Sequence, residues 1–591
     1  MGGDKACVGQ IMSTKSERKN LLSRVNRRRN RLFRELKRGY GRWIRVSEKK
    51  EKLRSKAQRF NESGQRPLIS ILMPVYNPKI SYLEEAIDSV LQQFYSEWEL
   101  CIADDCSTDP EVRKTLQRYA QIDSRIKVVY RAKNGHISKA SNSALEICSG
   151  QFVALLDQDD LLPEHALCSV ARVINSNPQV KLMYSDEDKF IDGGSRFDPY
   201  FKPRWNLQLF RSQNLISHLG VYSRELLSEV GGFRVGFEGS QDYDLALRCV
   251  EKINSPDQII HIPQILYHWR VHPDSTSSGL DSKPYAKDAA LLALEEHVAR
   301  LGLTADIQPF APGAYISQFY AQDSSKPVAV CVDLDGYSSA EAFRYCNRLI
   351  KATKFGSFIL WLNNQETVSK LNESGYRYVR YLDCERGSFI CSSIGVVERE
   401  QVCGVFLIDS LIPKSPNWIS KVVGLSEDGD ADVIACTTYT EEGRIINAGY
   451  ILDKCGDVLF RFNKGVLGKA NNCLTQQITA PSSMAMWISS EGARKLLSYD
   501  LDSVGGCAGD LQFGINAYKS GMNVVWAPYI DFVEFEGDGI TERLKLKYLD
   551  LSNNEKVNVV RKLSGDVFTL NPNYKVHKNS VVLDCRAAFE N

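Results

Sequence analysis

Three carboxylates fall within four residues at Asp157-Gln158-Asp159-Asp160. The apolar run Phe152-Val153-Ala154-Leu155-Leu156 stands directly before them and reads as a buried strand. The acids therefore emerge together at the strand's C-terminal end, the edge of an open α/β sheet where ligands bind. Carboxylates this close repel one another unless a divalent cation, usually holding a phosphate, neutralises them. An acidic turn, or a cap for the helix expected after Pro163, is the other reading of the same residues. The surrounding sequence weighs for the first.

From Arg66 onward the pattern alternates between strands and helices. It predicts strands over 68–76, 99–103, 126–130, 152–156 and 182–185, and helices over 81–94, 110–120, 138–148 and about 163–175. Leu83, Ile87, Val90 and Leu91 share one face of the first helix. The second strand ends on Asp104-Asp105 and is followed by a turn to Pro110. Repeated β-α-β units imply a mainly parallel, doubly wound sheet. A second, less regular α/β region begins near Lys326, after a stretch (308–325) whose Pro309, Pro312, Gly313 and Ser324-Ser325 read as a linker. The chain divides accordingly into a basic segment (1–66), two α/β units (67–312 and 326–545) and a weakly patterned tail (546–591).

A net charge of +2 over 591 residues conceals an asymmetry. Residues 15–66 hold 20 Lys/Arg against 5 Asp/Glu, while residues 67–591 carry a net −13. Leu21, Leu22, Val25, Leu32, Phe33, Leu36, Tyr40 and Trp43 recur at helical spacing through the basic stretch. Such an amphipathic helix suits an anionic membrane surface, which is the preferred reading. Packing against the protein body or a partner is the second, and nucleic acid the least favoured. The 16 cysteines are scattered without metal-type spacing, and many sit in apolar segments, which favours reduced thiols and a cytoplasmic protein. No signal peptide is apparent and no run reaches the length of a membrane span.

Five motifs in order then carry a resemblance. Pro74-Val75-Tyr76-Asn77, Ala103-Asp104-Asp105, Asp157-Gln158-Asp159-Asp160, Gly239-Ser240-Gln241-Asp242-Tyr243-Asp244 and Tyr267-His268-Trp269-Arg270-Val271-His272 resemble those of glycosyltransferase family 2. Gly231-Gly232-Phe233 and Ser275-Thr276-Ser277 agree with it. Tyr184-Ser185-Asp186-Glu187-Asp188 and Asn214 to His218 are closer to the tandem-domain members that build O-antigen and other surface polysaccharides.

The resemblance implies a GT-A fold and inverting transfer from a nucleotide-diphosphate sugar, with UDP- or dTDP-sugars favoured. It implies that Asp105 accepts hydrogen bonds from the donor base, that the backbone at Val75 and Tyr76 walls the base pocket, and that Asp104 is a turn residue. Asp157, Asp159 and Asp160 would hold Mg²⁺ or Mn²⁺ against the diphosphate, Asp159 foremost, with Asp157 alternatively on the ribose. Asp242 is the expected base for the acceptor hydroxyl, an inverting mechanism needing one opposite the leaving group. Gln241 stands where many members carry Glu. His268 or His272 would complete the metal shell, Arg270 bridge to phosphate, and Asp186 and Glu187 line the acceptor side. Lys139 reads equally as a phosphate or base contact and as a solvated lysine.

The later region echoes the family with losses. Leu407-Ile408-Asp409-Ser410, Pro416-Asn417-Trp418, Gly443-Arg444, Gly505-Gly506 with Asp510, and Gly565 to Tyr574 are similar to family segments, but Trp361-Leu362-Asn363-Asn364 stands where an Asp-Asp donor site is expected. The expectation is a degenerate second unit, the alternative a second active one with Asp510 as base. The acceptor implied is a glycan, lipid-linked. A nucleotidyltransferase lacks its Gly-rich basic loop here, and a non-catalytic glycan-binding scaffold is opposed by the intact Asp105, Asp157, Asp159 and Asp242.

Overall fold

The computed structural model describes residues 40–63, 65–272, 284–321, 326–354, 357–384, 389–427, 431–441, 445–452, 458–460, 476–499, 506–535, 574–577 and 580–583. Residues 15–39 of the basic stretch, Ser275 to Ser277, Ser324-Ser325, Gly443-Arg444, Gly505 and 565–573 lie outside them.

Helices α1 (40–47) and α2 (Lys50–Ser63) precede an eight-stranded sheet. Its strands are β1 (Ile69–Val75), β2 (Trp98–Asp104), β3 (Ile126–Tyr130), β4 (Phe152–Leu155), β5 (Leu182–Phe190), β6 (Arg196–Tyr200), β7 (Gly220–Ser223) and β8 (Ile259–Arg270). They pair in the order β3-β2-β1-β4-β7-β5-β6, with β8 on the other side of β5. The β1–β4 half is parallel, and β7 enters antiparallel between β4 and β5. The helices are α3 (Ile80–Leu91), α4 (Pro110–Ile122), α5 (His136–Glu146), α6 (Ala166–Ser176), α7 (Leu207–Phe210), α8 (Arg224–Glu229), α9 (Gln241–Glu251) and α10 (Pro284–Arg300).

The period-two alternation of a strand buried on both faces builds two cores. Ile71, Met73 and Ile102 pack with Leu83, Leu116 and Val170 of α3, α4 and α6. Leu72, Cys101 and Ala103 pack with Ala140, Leu245 and Ala293 of α5, α9 and α10. This is the expected mixed α/β architecture. Eleven cysteines among the described residues, from Cys101 to Cys436, are free thiols.

One buried carboxylate ties the parallel half together. Glu99 of β2 accepts from Ser70 Oγ (2.6 Å), Ser149 N (2.5 Å), Gly150 N (3.1 Å), Ser149 Oγ (2.8 Å) and Lys127 Nζ (2.6 Å). It thus joins β1, β2, β3 and the turn into β4. Gly150 is required there, because an added Cβ would meet Leu68 O and Ser70 N at 2.7 Å.

Two expectations are corrected. The basic amphipathic stretch is interrupted at 48–49, and Tyr40 and Trp43 turn inward. They are 2% and 3% exposed and pack on Phe201 and Ile265 rather than offering a face to lipid. The expected linker contains a hairpin of β9 (Ala305–Ala311) and β10 (Ala314–Phe319), with Gly313 at φ +70° in its turn.

The second sheet repeats the first. Strands Val328–Asp333, Phe358–Leu362, Val379–Tyr381 and Gly404–Asp409 pair in parallel as β1, β2, β3 and β4 do. Ala485–Ser489 enters antiparallel in the position of β7, and Val433–Tyr439 and Val524–Glu534 pair in parallel like β5 and β8.

Burial alone would raise the Glu99 carboxyl, but its five donors outweigh that and hold it down at about 2. A depressed carboxylate contributes its stability above the unfolded value near 4.5 and loses it as pH falls through about 2. Urea titrations of Glu99→Gln should show a loss of ~2–3 kcal/mol at pH 7 that shrinks progressively between those two values.

Candidate active site

The acidic turn leaves β4 at the C-terminal edge of the sheet, and β8 supplies what holds it. Asp160 is 1% exposed. Its carboxylate accepts from Tyr267 Oη (2.6 Å) and from Arg270 N (2.7 Å). Burial, then the charges of Asp159 and Asp157, push its pKa well above the ordinary carboxylate value. Tyr267 Oη also accepts from Asp157 N at 3.3 Å. Asp159 points the other way, its Oδ2 lying 2.7 Å from His272 Nε2. Gln158 Oε1 accepts from Tyr76 N (2.8 Å), which fastens the turn to the end of β1.

That β1 end is itself braced. Asp105 N donates to Val75 O (2.8 Å). Asn77, at φ +42°, accepts from Thr108 N (2.8 Å) and Asp109 N (3.2 Å). Asp104 accepts from Ser107 N (3.1 Å), as a turn residue does. Asp105 is 2% exposed, pairs with Arg131 Nε (2.7 Å) and accepts from Gly135 N (3.0 Å). Tyr76 is 45% exposed at the rim, whereas the Val75 side chain is buried in the core. Lys139 is exposed on the first turns of α5.

Asp242 lies in the first turn of α9, half-buried. Burial raises its pKa above the ordinary carboxylate value, against the partial opposition of His218 and local hydrogen bonds. Asn214 Nδ2 donates to its Oδ2 at 2.7 Å. Asp244 is fully buried between Arg234 and Arg248, a structural charge.

A residue given no role in the sequence reading joins the acids. Single ligand atoms of Asp157, Asp160 and His218 lie within 4.8 Å of one another, the one such metal-competent group among the described residues. Carboxylates and imidazoles together form a donor set that a hard or borderline divalent cation accepts. The Asp157–Asp160–His218 group and the Asp159–His272 pair, 2.7 Å apart, both offer such donors, so the residues present fit such an ion. Only the stretch Asn214 to His218 pointed to His218 beforehand.

Likeness to known proteins bears on these residues. The family model described as "Glycosyl transferase family 2" matches residues 70–231. A protein named for colanic acid biosynthesis glycosyl transfer, WcaA of Escherichia coli, is 30% identical over 208 residues, covering 34% of this chain and 72% of that protein. The chain belongs to glycosyl transferase family 2. The O-antigen biosynthesis protein RfbC of Myxococcus xanthus is 30% identical over 489 residues, 78% of this chain and 37% of that protein. The uncharacterized protein y4gI of Sinorhizobium fredii is 40% identical over 398 residues, 65% of this chain and 43% of that protein. The chain thus spans less than half the length of these last two relatives.

Within this family 2 site, three expectations are corrected. His268 is 2.6 Å from Asp188 and belongs to the network that docks α1, where Asp188 also takes Tyr40 Oη and Arg196 Nε. It is not with the acidic turn. Arg270 is 1% exposed and donates to Asp159 O (2.7 Å), Asp192 (3.0 Å) and Glu85 (2.5 Å), so it braces the turn from beneath instead of reaching a phosphate. Asp186 is fully buried against His261 and Lys202 N, and Glu187 holds Lys202 Nζ. Neither lines an acceptor surface.

The second sheet carries a thinned version of the same edge. Asp409-Ser410-Leu411-Ile412-Pro413 parallels Asp159-Asp160-Leu161-Leu162-Pro163. Leu411 pairs antiparallel with Glu534 as Leu161 does with His268. Ser410 then stands in the place of Asp160, Leu407 in that of Asp157 and Val533 in that of Tyr267. Asn363 bonds Asp333 (3.0 Å) and Asn364 caps the following helix. Asp510 is buried, accepting from Tyr450 Oη (3.1 Å) and Ser483 N (3.0 Å).

The carboxylates of Glu85 and Asp192 are half exposed and stay hydrated without Arg270, so the main loss on removing it is the hydrogen bond to the Asp159 carbonyl. Chemical denaturation of Arg270→Met should therefore show a loss of ~1–2 kcal/mol.

Proposed function

We propose that this chain is an inverting glycosyltransferase that moves a sugar from a nucleotide-diphosphate donor to a glycan acceptor in cell-surface polysaccharide synthesis. The observation that carries the reading is the placing of Asp159 against His272 and of Asp157 with Asp160 and His218 at the end of β4, with Asp242 held by Asn214 of the His218 loop, in a member of this family. The donor proposed is a UDP- or dTDP-sugar, its base facing Asp105 and the Val75–Tyr76 backbone. Asp105 would act there already oriented by Arg131, and Lys139 stands over the same rim.

Asp159 and His272, whose donor atoms lie 2.7 Å apart, would hold the divalent cation, Mg²⁺ or Mn²⁺, which when bound neutralises charge on the departing diphosphate, with Asp157 on the ribose. The imidazole in that set favours Mn²⁺ over Mg²⁺, whose preference is for oxygen. Asp160, occupied by Tyr267 and Arg270, orients the turn. Asp242 takes the proton from the acceptor hydroxyl as the new glycosidic bond forms and the bond to the diphosphate breaks with inversion. Its raised pKa strengthens it as a base, and Asn214 fixes the oxygen that does not receive the proton.

The acceptor proposed is lipid-linked, with the enzyme at the inner face of the plasma membrane through the basic segment. The burial of Tyr40 and Trp43 narrows that proposal to residues preceding Tyr40. Among the described residues no helix is long and apolar enough to cross a membrane. The units proposed run over 67–312 and 326–545, the first catalytic. The second, short of counterparts to Asp157, Asp160 and Tyr267, is proposed to position acceptor rather than to transfer sugar.

Donor binding and hydrolysis across UDP-, GDP- and dTDP-sugars, with and without Mn²⁺, test the reading. Asp242→Asn is expected to lower turnover ~10³-fold with donor affinity within about twofold of the parent. Asp159→Ala should abolish the metal-dependent part of binding. If the parent binds none of these donors, a non-catalytic scaffold replaces the transferase.

A further inference from the structure

The loop between Asn214 and Leu219 joins the two halves of the site. At one end Asn214 holds Asp242, and its Oδ1 accepts from Ser217 N (3.0 Å). At the other, His218 lays its ring on Tyr267, with centroids 4.3 Å apart and planes 11° from parallel, and meets the edge of Trp269 at 5.4 Å. Tyr267 is the side chain whose hydroxyl serves both Asp160 and Asp157. The loop therefore sets the separation between the proposed base and the acidic turn.

His218 is held by its backbone. Its N–H donates to Glu187 Oε2 (3.2 Å), and its carbonyl accepts from Lys202 Nζ (2.6 Å). The same ammonium donates to Ile216 O (2.8 Å) and Glu187 (3.0 Å). Lys202 is fully buried, an expensive place for an ammonium unless it is paired and fully hydrogen-bonded, as it is here by Glu187 and two carbonyls. Its position makes sense as a fastening for the loop. The ring it presents is half-exposed, and among the described residues neither ring nitrogen has a hydrogen-bond partner. One of them lies within 4.8 Å of carboxylate atoms of Asp157 and Asp160.

We infer that His218 is a further substrate-contacting residue, meeting the transferred sugar between the acidic turn and Asp242, and that Lys202 and Glu187 are the positioning pair that hold it there. The inference rests on the transferase reading. In an in-line displacement the reacting carbon lies between the leaving diphosphate and the base. The acidic turn marks the first and Asp242 the second. A ring fixed on its face, with uncommitted nitrogens, is equipped to bond sugar hydroxyls and to restrict which sugar is accepted.

The full-length chain is first assayed for hydrolysis of UDP-, GDP- and dTDP-sugars with Mn²⁺. If the parent hydrolyses none, both the transferase reading and this inference fall. With an active donor, His218→Ala is expected to lower kcat at least tenfold, with affinity for the matching nucleoside diphosphate within twofold. His218→Gln, which keeps a donor, should recover part of the rate, and preference between epimeric donor sugars should change. A rate within twofold of the parent overturns the inference. So does loss of nucleoside diphosphate affinity in step with the rate, which would make His218 a ligand of the cation or the diphosphate. Lys202→Met should reproduce the His218→Ala phenotype, and the double variant should be no worse than either single. Losses that multiply overturn the positioning role. If Lys202→Met does not fold, Glu187→Gln is read in its place by the same criteria.

Discussion

Three carboxylates in one tight turn, one of them out of contact with solvent, set the terms for the first sheet. Like charges at this range in a poorly hydrated place repel strongly, and a turn of loop residues has little of its own with which to resist. The resistance comes from β8. Tyr267 Oη, Arg270 N and the Arg270 guanidinium all face the turn, two of these hydrogen bonds reaching Asp160 itself and one the Asp159 carbonyl. β8 can do this because β7 runs antiparallel and lets β5 and β8 pair in parallel beyond it, which brings the end of β8 alongside the end of β4. The reversal of strand direction at β7 is thus what permits a dense negative centre at this edge.

Most of the first fold was legible. Its strands and helices fell within a few residues of where hydrophobic periodicity put them, because segments buried on both faces read as unbroken apolar runs. Asp104 as a turn residue was also legible, its chemistry being local. What escaped notice depended on which distant segment a side chain meets. His268 and Arg270 lie two residues apart in one strand and share a face, yet they meet different neighbours: Asp188 for one, and the Asp159 carbonyl with Asp192 and Glu85 for the other. No spacing rule separates them from His272, two residues further on. Lys202 and Glu187 are fifteen residues apart, and nothing in either announces that the lysine is buried on loop carbonyls. The linker was misread because Pro309, Pro312 and Gly313 suit a hairpin as well as a flexible connection.

The second sheet separates what the architecture needs from what the site needs. It keeps the strand order, the parallel half and the antiparallel entry. It also keeps the leucine and the proline of the Leu-apolar-Pro that follows the acidic position, with Ile412 for Leu162. The substitutions fall on the residues that create or tolerate charge. With Ser410 in place of Asp160 and Leu407 in place of Asp157, the repulsion is gone, and a hydroxyl at the β8-like strand is no longer required. Val533 there is consistent with a strand released from that duty. Asp409 finds a neutral neighbour in Ser410 Oγ (2.7 Å), itself bonded by Tyr337 (2.7 Å). A network of that kind suits a buried polar group at rest.

The docking of α1 has a mechanical side. Tyr40 and Glu48 are fastened through Asp188 and Arg196 to β5, β6 and, by way of His268, to β8. These are the strand ends that hold the acidic turn. A tug on the basic stretch would be carried as shear along β5 and β8 before it reached any loop. The anchor is a compact knot of charged hydrogen bonds over an aromatic cluster, so a load arriving at Tyr40 is shared among three strands before it reaches the acidic turn.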